Sequence, residues 1–317
     1  MWVAIISAII IFWSIRRVSQ VRAKAKSAKA AKAAEEAYLQ KQRLAAEERQ
    51  RRENELEKLR KESEERAARI AAEREAAQKA EAELIASIPV AEISIADSLA
   101  EKQSVRILDE ISTSNITVRT DREKLGNFIA LDVETTGLSI QQAEIIDVAA
   151  VRFENFQPVE AFSTLCFPRK GINPDAAKVN GIHEEDVDGK PTFQQIAASL
   201  QDFIGSSNLV GHNLFFDLKF ITKYGVNVTA QKRKYYDTLE ISQRTVQKFK
   251  YKRTYDREFD LYDSEWVGGD VENYKLGTLC EFYKIPTPSI HRALGDAVAA
   301  GRLFQKLSDA RKQVKNG

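Results

Sequence analysis

The chain has little cysteine, and its first part has neither glycine nor proline. Its two cysteines, Cys166 and Cys280, are too few for a disulfide framework or a thiolate metal site. All fourteen glycines lie at Gly126 or later, and the first proline is Pro89. Because these residue types punctuate compact folds, the sequence predicts one elongated helical part followed by one compact domain.

A large net charge is also lacking. The 48 Lys and Arg residues nearly balance the 46 Asp and Glu residues, which leaves a formal net charge of +2. Bulk charge therefore gives no argument for binding of nucleic acid, and any charge signal must be local. With 43% hydrophobic and 30% charged residues, the composition suits a soluble globular protein, and the scarcity of cysteine suits a reducing compartment.

The amino terminus resembles a membrane anchor. Its first fifteen residues contain no charged side chain, and seven cations follow before the first acid, Glu35. This order predicts an uncleaved anchor helix over residues 1–21, in a single-pass protein whose remaining chain lies on the cytoplasmic side. Fifteen residues give only about 22 Å of helix against a hydrocarbon core of ~30 Å. A helix that lies in the membrane interface or docks on a partner is therefore the alternative.

Residues 22–86 are rich in Ala, Glu, Lys, Arg and Gln, which favour helix throughout. They are predicted to form a charged helical stalk. Leu56, Ile70, Ala77 and Leu84 fall on a line with a spacing of sevens, but Ser63 interrupts that line and the companion positions are half polar. The stalk is thus expected to be a solvated single helix or a weak coiled coil that allows self-association. Residues 87–126 show little periodicity and are expected to be a linker.

The compact domain is expected over residues 127–310, followed by a short tail. It opens with an apolar run at 128–131 that leads into Asp132 and Glu134. Along a strand, period two puts both carboxylates on the same side. Two like charges this close favour a divalent cation between them. A lone pair of acids at this spacing is, however, also typical of a solvated turn. The tail comprises residues 311–317.

Two later segments place acids and a histidine beside apolar helices. Asp217 is expected in the first turn of a helix that starts near Leu214, and Asp296 follows His291 at the start of the last helix. Each has a structural interpretation, because an acid at a helix N-terminus interacts favourably with the helix dipole. A histidine beside a helix start is commonly a cap. These residues alone leave a metal site and a structural role both open.

Together, the four acids and the histidine resemble the DEDD superfamily of 3′ to 5′ exonucleases, in the subgroup with an H-x4-D third motif. The motifs are LDVETTGL at 131–138, GHNLFFD at 211–217 and HRALGD at 291–296. The likeness extends to the proofreading exonuclease, or epsilon subunit, of DNA polymerase III. The resemblance implies an α/β fold with a ribonuclease H-like mixed sheet flanked by helices.

The resemblance also implies two-metal-ion hydrolysis at the 3′ ends of single-stranded DNA or RNA. The implied ligands of two Mg2+ or Mn2+ ions are Asp132, Glu134, Asp217 and Asp296. His291 would take the proton from the attacking water. The residues implied to contact the terminal nucleotide are Thr135, Thr136, Leu138 and Asn213. His183 stands where the family commonly has threonine, and it is given no catalytic role.

The segment 240–274 is longer than compact members of this family need. It carries a basic and aromatic part and then an acidic part. Its cations and rings could hold a single strand, or its acids could pair with those cations in a solvated hairpin. Three alternative functions remain: a membrane-tethered interaction protein with a vestigial nuclease fold, an exoribonuclease, and a subunit held by a polymerase or repair partner.

Overall fold

The computed structural model describes residues 2–97, 104–117, 120–256, 261–288 and 291–310. Its helices are α1 (Trp2–Ser87), α2 (Pro174–Asn180), α3 (Glu184–Val187), α4 (Phe193–Ile204), α5 (Leu214–Lys223), α6 (Thr238–Thr245), α7 (Leu276–Phe282) and α8 (Ala293–Ala310). Its strands are β1 (Phe128–Thr135), β2 (Ile145–Glu154), β3 (Gln157–Leu165), β4 (Leu209–Gly211), β5 (Tyr235–Asp237), β6 (Lys250–Asp256) and β7 (Leu261–Val267). Two short 3-10 helices, Val105–Glu110 and Glu123–Leu125, precede β1.

The chain divides into two units, residues 1–73 and 74–317. The first unit consists of α1 residues, and ion pairs four residues apart run along it. Lys61 lies 2.9 Å from Glu57, and Arg52 lies 2.7 Å from Glu48. Exposed pairs of this kind each stabilise a helix by about 0.2–0.5 kcal/mol. Self-association through this charged helix stays a prediction.

The prediction of a membrane anchor over residues 1–21 was wrong. Among the described residues, no helix is both long enough and apolar enough to cross a membrane. The physical reason is length, since the uncharged run gives about 22 Å of helix before charged residues begin. The predicted single-pass topology, with a nuclease domain on the cytoplasmic side of a membrane, depended on this anchor and was therefore also wrong.

The second unit is built on a five-stranded mixed sheet with the order β3-β2-β1-β4-β5. β1, β2 and β3 are antiparallel neighbours, whereas β4 and β5 run parallel to β1. The predicted mixed sheet flanked by helices is therefore confirmed. β1 takes the central place because its first four residues are apolar and buried, so both of its faces can be covered.

Alternate residues of β1 face two different hydrophobic cores. Leu131 belongs to a core formed with α4 and α5, whereas Ala130 belongs to a core formed with α8. Because residues two apart share a face, Asp132 and Glu134 continue the face that α8 covers. The apolar run of β1 thus ends in two acids that lie on the sheet face covered by α8.

α8 lies very close to the sheet. A Cβ at Gly301 would overlap the ring of Phe153 on β2, so glycine is required at this crossing. Phe153 stacks on Phe128 of β1 with ring centroids 4.7 Å apart, and Phe304 of α8 meets Phe128 edge-on at 5.1 Å. This aromatic contact fixes the distance between helix and sheet.

Residues ahead of β1 cover both edges of the sheet. On the β3 edge, Ala91 N donates to Ala161 O and Ala161 N donates to Pro89 O, both at 2.8 Å. On the β5 edge, Ser114 N donates to Tyr235 O at 2.6 Å. Open strand edges invite pairing with other chains, and these contacts occupy part of each edge. The interpretation of residues 87–126 as a linker stays a prediction, but the segment contributes to the sheet.

We expect a protein that begins at residue 125 to be less stable and more prone to associate than one that begins at residue 74. The shorter protein loses the contacts at both sheet edges. It also loses the buried side chains of Ile88 and Leu108, and burial of such side chains contributes about 1.5–3 kcal/mol each. Urea denaturation and analytical ultracentrifugation measure both effects. Equal midpoints and equal monomer fractions would contradict the prediction.

Candidate active site

The carboxyl end of β1 carries two acids of the candidate site. Asp132 and Glu134 are half-buried and flank the buried Val133. The antiparallel register places Glu134 directly opposite Asp147 of β2. Strand geometry therefore gathers three carboxylates at one end of the sheet.

The first turn of α5 adds a fourth carboxylate. Asp217 is only 3% exposed, and its Oδ1 accepts a hydrogen bond of 3.0 Å from the backbone N–H of Val133. This bond joins the start of α5 to β1 between Asp132 and Glu134. Asp217 is thereby held against the acids of the strand.

The start of α8 supplies the last two predicted residues. Asp296 lies in the first helical turn, and its Oδ2 accepts a hydrogen bond of 3.2 Å from the backbone N–H of His291. His291 is exposed and has a left-handed backbone with φ of 67°. The possible ligand atoms of Glu134, His291 and Asp296 lie within 4.8 Å of one another. The structure thus brings the H-x4-D segment against β1.

Burial and mutual repulsion disfavour the charged forms of these acids. Burial first, and then the charges of Asp217 and Asp296, raise the pKa of Asp132 well above its usual range. Burial, followed by the charge of Asp296, raises the pKa of Glu134 to about 7. Burial also raises the pKa of Asp296 to about 6. For Asp217, burial outweighs the hydrogen bond from the backbone, so its pKa is raised as well.

This donor set fits a divalent metal centre. Carboxylate oxygens are the ligands that Mg2+ and Mn2+ prefer in proteins. Neighbouring carboxylates in a buried site stay unfavourable until protons or cations neutralise them. Four acids from β1, α5 and α8 therefore supply both the chemistry and the electrostatic reason for binding cations.

Family membership follows from comparison with known proteins. The model of the exonuclease family matches residues 129–304, which is more than half of the chain. The chain belongs to the exonuclease family. The matched span includes β1 from Ile129 onward, α5 and the first turn of α8, so it contains all four acids and His291.

Curated relatives include DNA polymerase III proteins. The chain is 30% identical over 203 residues to a PolC-type DNA polymerase III of Caldanaerobacter subterraneus subsp. tengcongensis, with 63% of this chain and 13% of the relative covered. It is 29% identical over 184 residues to the DNA polymerase III epsilon subunit of Aquifex aeolicus, with 57% and 80% covered. The chain thus spans a small part of the polymerase and most of the epsilon subunit. A solved structure of exonuclease X with 5′ overhanging duplex DNA is 23% identical, covers 57% of this chain and 90% of that chain, and has a TM-score of 0.41.

Asp147 is a residue of this candidate site to which sequence analysis assigned no role. It is 3% exposed, and its Oδ2 accepts hydrogen bonds from Arg292 Nε at 3.1 Å and from Ala293 N at 3.3 Å. Ala293 is the first residue of α8, so Asp147 fixes the start of that helix. An acid among the apolar residues of the first part of β2, residues 145–151, is the signal that could have identified it.

The loop between β4 and α5 is held by two further residues that sequence analysis missed. Asp237 Oδ1 accepts hydrogen bonds from Asn213 N and Leu239 N, both at 2.9 Å. His212 lies 2.9 Å from Tyr274 O through Nε2 and 2.9 Å from Thr238 Oγ1 through Nδ1. Since a carbonyl only accepts, Nε2 carries the proton that is donated to Tyr274 O. The Thr238 hydroxyl also lies 3.0 Å from Gly211 O, and its single proton serves either that carbonyl or Nδ1 at one time. His212 and Asp237 each lie singly at a strand end, so they form no hydrophobic or polar period that the sequence could reveal.

The four predicted substrate-binding residues differ in their availability. Thr135 Oγ1 donates to Gly137 O at 2.7 Å, and Thr136 Oγ1 accepts from Glu144 N at 3.0 Å, so both hydroxyls take part in the turn after β1. Leu138 is 85% exposed, which is unusual for a large apolar side chain in a folded unit. Asn213 is also exposed and has φ of 63°. Their roles stay predictions.

We expect Asp132→Asn to stabilise the metal-free protein and to abolish the stabilisation that added Mn2+ gives to the wild type. The substitution removes one of several repelling charges, and with it one oxygen ligand. An ion at 100 times its Kd stabilises the wild type by about 2.7 kcal/mol. Thermal unfolding at pH 7.5, with EDTA or with Mn2+, measures both changes. Asp202→Asn, at an exposed acid of α4, is the control.

We expect the stability of the wild type to have a component that falls as the pH drops from about 6.5 to about 4. Burial lowers the pKa of His212 to about 4, below the ordinary value near 6.5, so the unfolded chain takes up a proton first. The free energy of unfolding then decreases by up to about 1.4 kcal/mol per pH unit in this window. His212→Gln retains a donor for Tyr274 O but cannot titrate, and urea unfolding should show a shallower slope. Identical slopes would exclude the neutral buried imidazole.

Proposed function

We propose that the protein is a metal-dependent 3′ to 5′ exonuclease that removes nucleotides from single-stranded DNA ends. The observation that carries the proposal is the meeting of four acids from β1, α5 and α8 with His291 beside two of them. Membership of the exonuclease family supports the reaction type. The names of the DNA polymerase III relatives support DNA as the substrate.

We assign Asp132, Glu134, Asp217 and Asp296 as ligands of two divalent cations, Mg2+ or Mn2+. When bound, such cations polarise the scissile phosphate and stabilise the charge that develops on the leaving oxygen. The acids keep their positions through contacts of their own. Asp217 is bonded to the backbone of β1, and Asp296 is bonded to the backbone of His291.

His291 is the proposed general base. It is exposed, so water and substrate can reach a ring nitrogen, and its backbone is tied to Asp296. In its neutral form the imidazole can accept the proton that the water loses when its oxygen attacks phosphorus. The bond from phosphorus to the 3′ oxygen of the preceding nucleotide then breaks, and this oxygen takes a proton from solvent to become a 3′ hydroxyl. Protonated His291 can return its proton to solvent.

Leu138 is the proposed contact for the terminal base. Its exposed side chain follows the turn at the end of β1, beside Asp132 and Glu134 in sequence. An apolar side chain in that place can pack on a base without reading its identity. Thr135 and Thr136 lie at the end of β1 and in the turn after it, and Asn213 has an exposed side-chain amide in the loop before α5. All three are assigned to the same terminal nucleotide.

We expect the purified wild type to shorten a 5′-labelled single-stranded DNA stepwise with Mg2+ or Mn2+ and to be inactive with EDTA. Asp132→Asn and Asp296→Asn should each abolish cleavage, because each removes a metal ligand. His291→Ala should lower kcat by about 100- to 10,000-fold, the usual contribution of a general base. Denaturing gels that resolve single nucleotides measure these rates.

The matched histidine control is His183→Ala, which we expect to cleave at the wild-type rate. His183 caps α3 through its backbone N–H, which donates to Asp186 Oδ2 at 2.8 Å. Near wild-type cleavage by Asp132→Asn or Asp296→Asn would refute the metal assignment. Cleavage of a matched RNA strand faster than DNA would change the substrate to that of an exoribonuclease.

A further inference from the structure

The segment 240–274 contains a hairpin that forms a sheet of its own. β6 and β7 pair antiparallel from Lys250 opposite Val267 to Asp256 opposite Leu261, and they are separate from the five-stranded sheet. An isolated two-stranded hairpin is at best marginally stable in water, so it is expected to have a binding partner or a packing surface.

The register sorts the residues of the hairpin onto two faces. Directly opposite residues share a face, and neighbours along a strand alternate between faces. One face, here called the aromatic face, consists of Tyr251, Arg253, Tyr255, Tyr262, Ser264 and Trp266. The other face contains Lys250, Lys252, Asp256, Asp263 and Glu265. All three acids of the two strands therefore lie opposite the aromatic face.

This division changes which residues of the segment could hold a single strand, compared with the expectation from the sequence alone. Lys250 and Lys252 do not share a face with the tyrosines, and Lys252 is directly opposite Glu265. Cross-strand pairs of opposite charge suit a solvated face. The aromatic face instead combines four aromatic residues with one arginine and no acid. That composition suits stacking on bases, with a cation for phosphate or for a further base.

The root of the hairpin is fixed by hydrogen bonds. Asp270 Oδ2 accepts from Gln247 N at 2.9 Å, and Phe249 N donates to Val271 O at 2.8 Å. Gly269, with φ of 101°, lies so close to the facing backbone that a Cβ would overlap it. Hydrogen bonds and this close backbone contact therefore hold the two strands together where they leave the domain.

Hydrogen bonds connect the root of the hairpin to the candidate active site. Tyr274 Oη donates to Val246 O at 3.0 Å, which links the two ends of the insertion. The carbonyl of Tyr274 accepts the hydrogen bond from His212, whose neighbour Asn213 begins the loop into α5. One hydrogen bond thus separates the root of the hairpin from the loop that leads to Asp217.

We propose that the aromatic face binds the bases of a single-stranded DNA whose 3′ end lies at the acids of the site. This inference rests on the proposed function and adds a second contact region upstream of the cleaved nucleotide. A strand engaged at both places would be released less readily than a dinucleotide, which is too short to reach the hairpin.

The test is binding of a fluorescein-labelled 20-nucleotide oligo(dT) in EDTA, measured by anisotropy with the full-length protein. Tyr255→Thr with Tyr262→Thr removes two directly opposite rings and keeps residues that favour strands. We expect Kd to rise by at least about 5-fold for each base that loses its stacking partner. The loss should persist at high salt, because stacking is not a phosphate contact.

Two further variants make the result specific. Tyr255→Phe with Tyr262→Phe retains both rings and should bind like the wild type. Lys252→Gln with Glu265→Gln alters the opposite face at constant net charge and should also bind like the wild type. An unchanged Kd in the threonine variant, or an equal loss in the phenylalanine variant, would overturn the inference.

Dinucleotide hydrolysis with Mn2+ separates this inference from the proposed function. The threonine variant should hydrolyse a dinucleotide with the wild-type kcat/KM, since only the upstream contact is changed. A wild type that hydrolyses no substrate would overturn the proposed function, while binding in EDTA would still decide the role of the aromatic face. A fall in dinucleotide hydrolysis equal to the fall in binding would overturn the inference.

Discussion

Repulsion among closely placed, buried and half-buried carboxylates is the constraint on which the site depends. Asp132, Glu134, Asp217 and Asp296 come from three elements, and each element must be held in place against the charges that it brings. The protein achieves this with backbone donors to individual acids, such as Val133 N to Asp217. Cations would then be bound by an arrangement that already exists. Binding energy would not be needed to assemble it.

Two other acids stabilise this arrangement without being assigned to a metal. Asp147 accepts the first N–H of α8, and Asp237 accepts the N–H groups of Asn213 and Leu239. A carboxylate at a helix start interacts favourably with the helix dipole as well as with the free N–H group. The sheet therefore fixes both helices that carry predicted metal ligands through acids at its own strand ends.

The sequence predicted those parts of the fold that follow from periodicity or from motif spacing. The apolar run before Asp132 indicated a buried strand, and the spacing of two indicated a shared face. Asp147 and His212 were not assigned because their partners are distant in sequence, and a single polar residue has no period. The predicted membrane anchor was wrong because the order of uncharged and cationic residues favours an anchor, whereas the uncharged run is too short to cross the hydrocarbon core.

The hairpin illustrates a different limit of the sequence. Alternating cations and rings indicated strands, but only the pairing of Lys252 with Glu265 shows which residues share a face across two strands. A shift of one residue would exchange the faces completely. Edge contacts such as Ser114 with Tyr235 were likewise not predictable, because backbone groups donate and accept whatever the side chain is.

Gly301 has a consequence for the precision of the site. It lies five residues after Asp296, which is about 7.5 Å along the axis of α8. Over so short a length a helix moves as a rigid body, so a displacement at Gly301 is passed to the Asp296 carboxylate almost undiminished. Glycine within a helix costs about 0.5–1 kcal/mol relative to alanine. In return, the missing methyl group sets the depth at which Asp296 meets the acids of β1, although Gly301 itself packs against Phe153 of the core.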